Sequence, residues 1–127
     1  MAEVSNVGER DFDAAIAGPN PVLVDFSASW CGPCKAMAPA LDAFARHRTD
    51  DLAVVKVDID DAPGVAARYG IRSVPTLALF QDGKPLAMQP GMMGEAQLTR
   101  FVEQHLQVGP RQPVEQDPNR PQIDLDW

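Results

Sequence analysis

The sequence predicts an α/β domain. Three observations carry that expectation: apolar runs that read as buried strands alternate with amphipathic helical segments, a Cys-x-x-Cys stands where one strand turns into a helix, and an Asp-Gly pair marks a hairpin further on. With 127 residues, 45% of them hydrophobic and 23% charged, the chain can bury one substantial core.

The elements follow in chain order. Asp11 to Ala17 reads as a short helix ended by Gly18-Pro19, and Val22 to Ala28 as a buried strand. A second helix is expected from about Gly32 to Arg48. Pro39 inside it removes one backbone bond, but Ala40, Leu41, Phe44 and Ala45 continue the helical period, so a kink is expected rather than a stop. Leu52 to Ile59 forms the next strand, and Ala62 to Tyr69 a short helix closed by Gly70. Thr76 to Phe80 and Pro85 to Gln89 flank the turn Gln81-Asp82-Gly83-Lys84. Glu95 to Gln107 is the last helix, with Leu98, Phe101, Val102 and Leu106 on one face.

These elements define a domain over residues 1–108. Residues 109–127 differ in character, with Pro110, Pro113, Pro118 and Pro121 among mostly polar and acidic neighbours, and such a tail does not fold alone. Its last six residues, Gln122 to Trp127, nonetheless alternate apolar and polar as a docked strand does, so a solvated tail and a docked one both stand.

The chemistry centres on Trp30-Cys31-Gly32-Pro33-Cys34-Lys35, which holds both cysteines of the chain. At a helix start, unpaired backbone N–H groups and the helix dipole favour a thiolate, which makes Cys31 the nucleophile. The competing reading is half of a zinc site. Zinc takes four ligands, and the chain has no third cysteine; His47 and His105 stand far apart among polar residues of helices. The redox reading is preferred, with no metal.

Net charge is −7, from 18 acids against 11 bases, which argues against nucleic acid and anionic lipid as partners. Met1 to Asn6 has neither a basic nor an apolar leader character, and no run approaches a membrane span. A soluble, cytoplasmic protein is expected.

Val24-Asp25-Phe26, Trp30 to Lys35, Pro39, Lys56, Tyr69-Gly70-Ile71-Arg72, Val74-Pro75-Thr76, Phe80, Asp82-Gly83 and Gly91 together resemble the bacterial thioredoxin pattern, over about residues 8 to 107. The resemblance implies a central mixed β-sheet with helices on both faces and a cis peptide bond before Pro75. It implies a protein-disulfide reductase without a bound cofactor, acting as a monomer on disulfide-containing proteins and kept reduced by an NADPH-dependent flavoprotein, thioredoxin reductase. A thioredoxin-fold binding module for a partner protein is the alternative. The Gly32-Pro33 pair goes with the reducing end of the family rather than with its oxidases and isomerases.

The resemblance also assigns roles. Cys34 would resolve the mixed disulfide formed at Cys31. Asp25 and Lys56 each interrupt an apolar strand; one reading is an ion pair between neighbouring strands, the other that buried Asp25 accepts the Cys34 proton. Pro75 would hold its loop near Cys31 and leave Val74 backbone groups free for a substrate strand. Trp30, Ile59, Val74, Gly91 and Met92 align with the family's shallow apolar groove. Departures are Ser27, where many members carry a second tryptophan, Ser73 for a frequent glycine, Pro90 beside Gly91, Gly94 as a weak helix cap, and the tail.

Overall fold

The computed structural model describes residues 3–48 and 52–106. Five strands, β1 (Val4–Asn6), β2 (Val22–Ser27), β3 (Ala53–Asp58), β4 (Thr76–Gln81) and β5 (Lys84–Pro90), form one sheet in the order β1-β3-β2-β4-β5. The first three strands pair in parallel, whereas β4 and β5 run antiparallel to their neighbours. The sheet is therefore mixed, as the resemblance implies. Four helices cover it: α1 (Phe12–Ile16), α2 (Gly32–His47), α3 (Pro63–Arg68) and α4 (Glu95–His105).

β2 is buried along its whole length because it lies between two strands and under helices on both faces. Its side chains alternate between two separate cores. Leu23 joins Met37, Leu41 and Phe44 of α2, Leu98, Phe101 and Val102 of α4, and Leu77 and Leu79 of β4. Val22, Val24 and Phe26 face the other way, with Phe12 and Ile16 of α1, Val65 of α3 and Phe80. Phe12, fully buried, stacks at a tilt on Phe26 and Tyr69 and edge-on against Phe80, at centroid distances of 5.7 to 6.2 Å.

The helix α2 continues through Pro39, which faces solvent. The hairpin turn is left-handed at both central residues, Asp82 (φ 56°) and Gly83 (φ 78°), the conformation that Asp-Gly supplies at little steric cost. One element departs from expectation: β1 carries no strand signal of its own, being three residues long and held by β3 alone. The expected first helix is found as α1, capped by Asp11 and Ala17, with a 3-10 turn over Glu9–Asp11 leading into it. Glu9 turns away to accept the Gly64 N–H at the start of α3, 2.6 Å. The proposed tail, residues 109–127, lies outside the described residues.

Candidate active site

Strand β2 ends at Ser27, and the chain passes through Ala28, Ser29 and Trp30 to reach Cys31 at the N-cap of α2. Gly32 and Pro33 open the helix; a proline there costs nothing, since first-turn N–H groups lack helical partners anyway. Cys31 and Cys34 are joined by a disulfide, so this is the oxidised form. Cys31 Sγ accepts the Cys34 backbone N–H at 3.0 Å, taking the place that a serine or aspartate oxygen fills in an ordinary cap. On reduction, this N–H and the helix dipole act on a sulfur that gains negative charge.

Both cysteines are buried in a small cluster with Ala28, and half-buried Ile59 and Val74 pack against it. The Val74–Pro75 bond is cis, and the Val74 carbonyl oxygen lies 3.6 Å from Cys31 Sγ. Gly91 takes φ +107°, a conformation that disfavours any side chain, and its N–H donates to the Pro75 carbonyl at 2.9 Å. Gly91 is thus tied to the proline loop. Two large apolar side chains remain exposed at this end of the sheet, Trp30 at 66% and Met92 at 50%. The Trp30 indole N–H donates to Asp60 Oδ2 at 2.8 Å, and Asp58 Oδ1 accepts the Asp60 N–H. Asp60 is a site residue that sequence reasoning missed; its signal was an aspartate run directly after a strand, which favours side-chain-capped turns.

Asp25 and Lys56 are direct partners in the β2–β3 register, and Asp25 also faces Leu77, which belongs to the core under α2. Both charges therefore lie on the sheet face that α2 covers. Asp25 is buried, with Oδ1 lacking any hydrogen-bond partner. Burial pushes its carboxyl up from the ordinary 3.8 to about 6, against the opposing pull of the Lys56 ammonium. Lys56 is half-buried and, with Ser27, Lys35 and Cys34, lines a cleft of about 440 Å³. No group of His, Cys, Asp and Glu that could hold a metal occurs among the described residues.

A disulfide at a helix N-terminus can exchange with external thiols, since attack on one sulfur releases the other as a stabilised thiolate, and the dithiol so formed can reduce external disulfides. The comparisons agree with that chemistry. A family model described as Thioredoxin matches residues 3–104. The chain is 39% identical to the thioredoxin of Haemophilus influenzae over 107 residues, spanning 84% of this chain and all of the relative. It is 46% identical to thioredoxin 1 of a Nostoc species over the same shares, and 49% identical to the thioredoxin of Acidithiobacillus ferridurans, covering 79% of this chain and 94% of that one. With its cysteine pair at the head of α2 on a mixed five-stranded sheet, the chain belongs to the thioredoxin family and is a thiol-disulfide oxidoreductase of the protein-disulfide-reductase kind.

Proposed function

We propose that Cys31 is the attacking sulfur and Cys34 the resolving one. The observation that carries this reading is the Cys34 N–H on Cys31 Sγ at 3.0 Å, at the N-cap of a 16-residue helix. The Cys31 thiolate attacks a substrate disulfide, forming a mixed disulfide and releasing one substrate sulfur; Cys34 then attacks Cys31 Sγ, freeing the second. Asp25 takes the Cys34 proton in that second step. At pH 7 a carboxyl of pKa about 6 is roughly nine-tenths ionised and free to accept. Lys56, its register partner, keeps this acceptor from rising further.

Exposed Trp30 and Met92, with Ile59, Val74, Pro75 and Gly91, form the docking rim; Val74 offers backbone groups to an extended substrate segment. Gly32 and Pro33 set the reducing poise of the pair. The protein works as a cytoplasmic monomer over residues 1–108, without a bound cofactor, and draws electrons from an NADPH-dependent thioredoxin reductase. Among the described residues, no helix is long and apolar enough to cross a membrane.

Insulin reduction and mixed-disulfide trapping test the assignment. Cys31→Ser should abolish turnover, and Cys34→Ser should accumulate substrate disulfide-linked to Cys31. Trapping through Cys34 in the Cys31→Ser protein would reverse the two roles.

A further inference from the structure

The docking rim carries an oxidisable side chain. Of the methionines among the described residues, Met37 and Met93 are buried, Met88 is half-buried against the core around Phe80, and Met92 is 50% exposed. Met92 is therefore the methionine most open to a dissolved oxidant. Its backbone is held from both sides. The Gly91 N–H donates to the Pro75 carbonyl at 2.9 Å, and the Met93 N–H donates to Met37 Sδ of α2 at 3.4 Å. Met93 is also packed into the core with Met37, Leu98 and Phe101. These ties keep Met92 at the rim, so a change at its sulfur is felt there. The cysteines are shielded at the same time, since in this oxidised form both sulfurs are paired and buried.

We infer that Met92 is a site of reversible oxidation by hydroperoxides, and that its sulfoxide weakens docking of protein disulfides while sparing the cysteine chemistry. The inference rests on the assignment of Met92 to the docking rim. The thioether sulfur attacks the terminal oxygen of the hydroperoxide; an S–O bond forms, the O–O bond breaks, and the remaining oxygen leaves with the proton as alcohol or water. Sulfur loses two electrons and the peroxide gains them. A flexible apolar side chain becomes a polar one. Its new oxygen sheds hydration whenever an apolar substrate side chain is pressed against it, so the cost falls on docking. Attack of Cys31 on a disulfide uses none of these atoms. Repair reverses the step: a sulfoxide reductase fed by a dithiol removes the oxygen as water, returns the thioether and leaves the dithiol as a disulfide. The response follows the state of the protein itself, because with Cys31 and Cys34 joined no free thiolate among the described residues competes for the oxidant.

The test treats the disulfide form with hydrogen peroxide, locates the added oxygen by peptide mass spectrometry, restores the dithiol with dithiothreitol, and then measures reduction of insulin and of a small aromatic disulfide. Met92 should oxidise about tenfold faster than Met37 or Met93. Protein oxidised at Met92 should show a KM for insulin raised about threefold or more, with kcat and the small-disulfide rate within about twofold of the untreated protein. Methionine sulfoxide reductases of both epimer types should return that KM to its starting value. Met92→Leu, whatever its own KM, should show no response to peroxide. Preferential oxidation elsewhere, an unmoved KM in protein oxidised at Met92, or a full response in Met92→Leu would each overturn the inference. Untreated Met92→Ala separates the two readings: a raised KM for insulin supports the rim whatever the peroxide result, and an unchanged KM overturns the rim assignment itself.

Discussion

Replacing Asp25 by Asn should make stability less dependent on pH, so that the variant gains on the wild type as pH rises. The folded carboxyl holds its proton up to about pH 6, whereas in the unfolded chain it ionises near 3.8. Between those values the folded state binds more protons, so wild-type stability falls as pH rises through the window and stays at the lower level above it. The separation corresponds to about 3 kcal/mol. An asparagine of the same shape carries no charge at any of these pH values. Its amide donors enter a place where Oδ1 already lacks a partner, which takes back a roughly constant 1 to 3 kcal/mol. The difference between variant and wild type should therefore rise by about 3 kcal/mol from pH 3.5 to pH 7 and then level off, whatever its starting offset. Urea titrations at half-unit intervals across that range, followed by far-UV circular dichroism, measure it. A difference that stays flat, or shrinks as pH rises, would refute the argument that desolvation dominates over Lys56. The same variant should slow resolution of the Cys31 mixed disulfide at pH 7 more than its formation, and equal slowing of both steps would leave Asp25 a purely structural role.

Other outcomes follow from the packing and the surface. Phe12→Ala empties the centre of the aromatic cluster with Phe26, Tyr69 and Phe80 and should cost about 3 to 5 kcal/mol in a denaturant titration, with the rate per folded molecule unchanged. Glu95→Gln breaks the exposed contact with His47 that joins α4 to the end of α2; since surface pairs contribute little, the stability change should stay below about 1 kcal/mol. Deleting residues 109–127 should leave a folded, redox-active domain, because α4 already completes the core that it shares with α2. Insulin turnover and a melting curve check this, and collapse of the shortened protein would show the boundary to be misplaced.

Strong local signals made most of the fold legible. The apolar run through Val22 and the helical period after Cys31 each placed an element to within a residue or two, and Asp82-Gly83 fixed the hairpin. What stayed hidden depends on partners distant in sequence. β1 is a strand because β3 offers it an edge, and its three residues have no period to read. The cleft behind Cys34 was hidden for the same reason, since Asn6 and Val7 supply one wall. Asp25 and Lys56 were legible as anomalies in apolar strands, but their pairing became visible only through the strand register. The Trp30–Asp60 bond joins two loops 30 residues apart, a closeness that no local pattern encodes.

Among the described residues, two strands of the sheet are unpaired on one side, and each is poorly suited to recruiting a stranger. β1 offers only three residues. β5 is longer, yet Pro85 and Pro90 withhold two N–H donors, Lys84 places a charge at its start, and the pairing skips Leu86 between the Leu79 and Phe80 registers, which bends and twists the border. Like charge between copies, at −7 each, adds long-range repulsion at low salt. Under the docking role proposed for Val74, a protein that lends its backbone briefly to extended chains keeps its own borders closed to permanent strand addition, so crowding should not turn transient docking into fibrils.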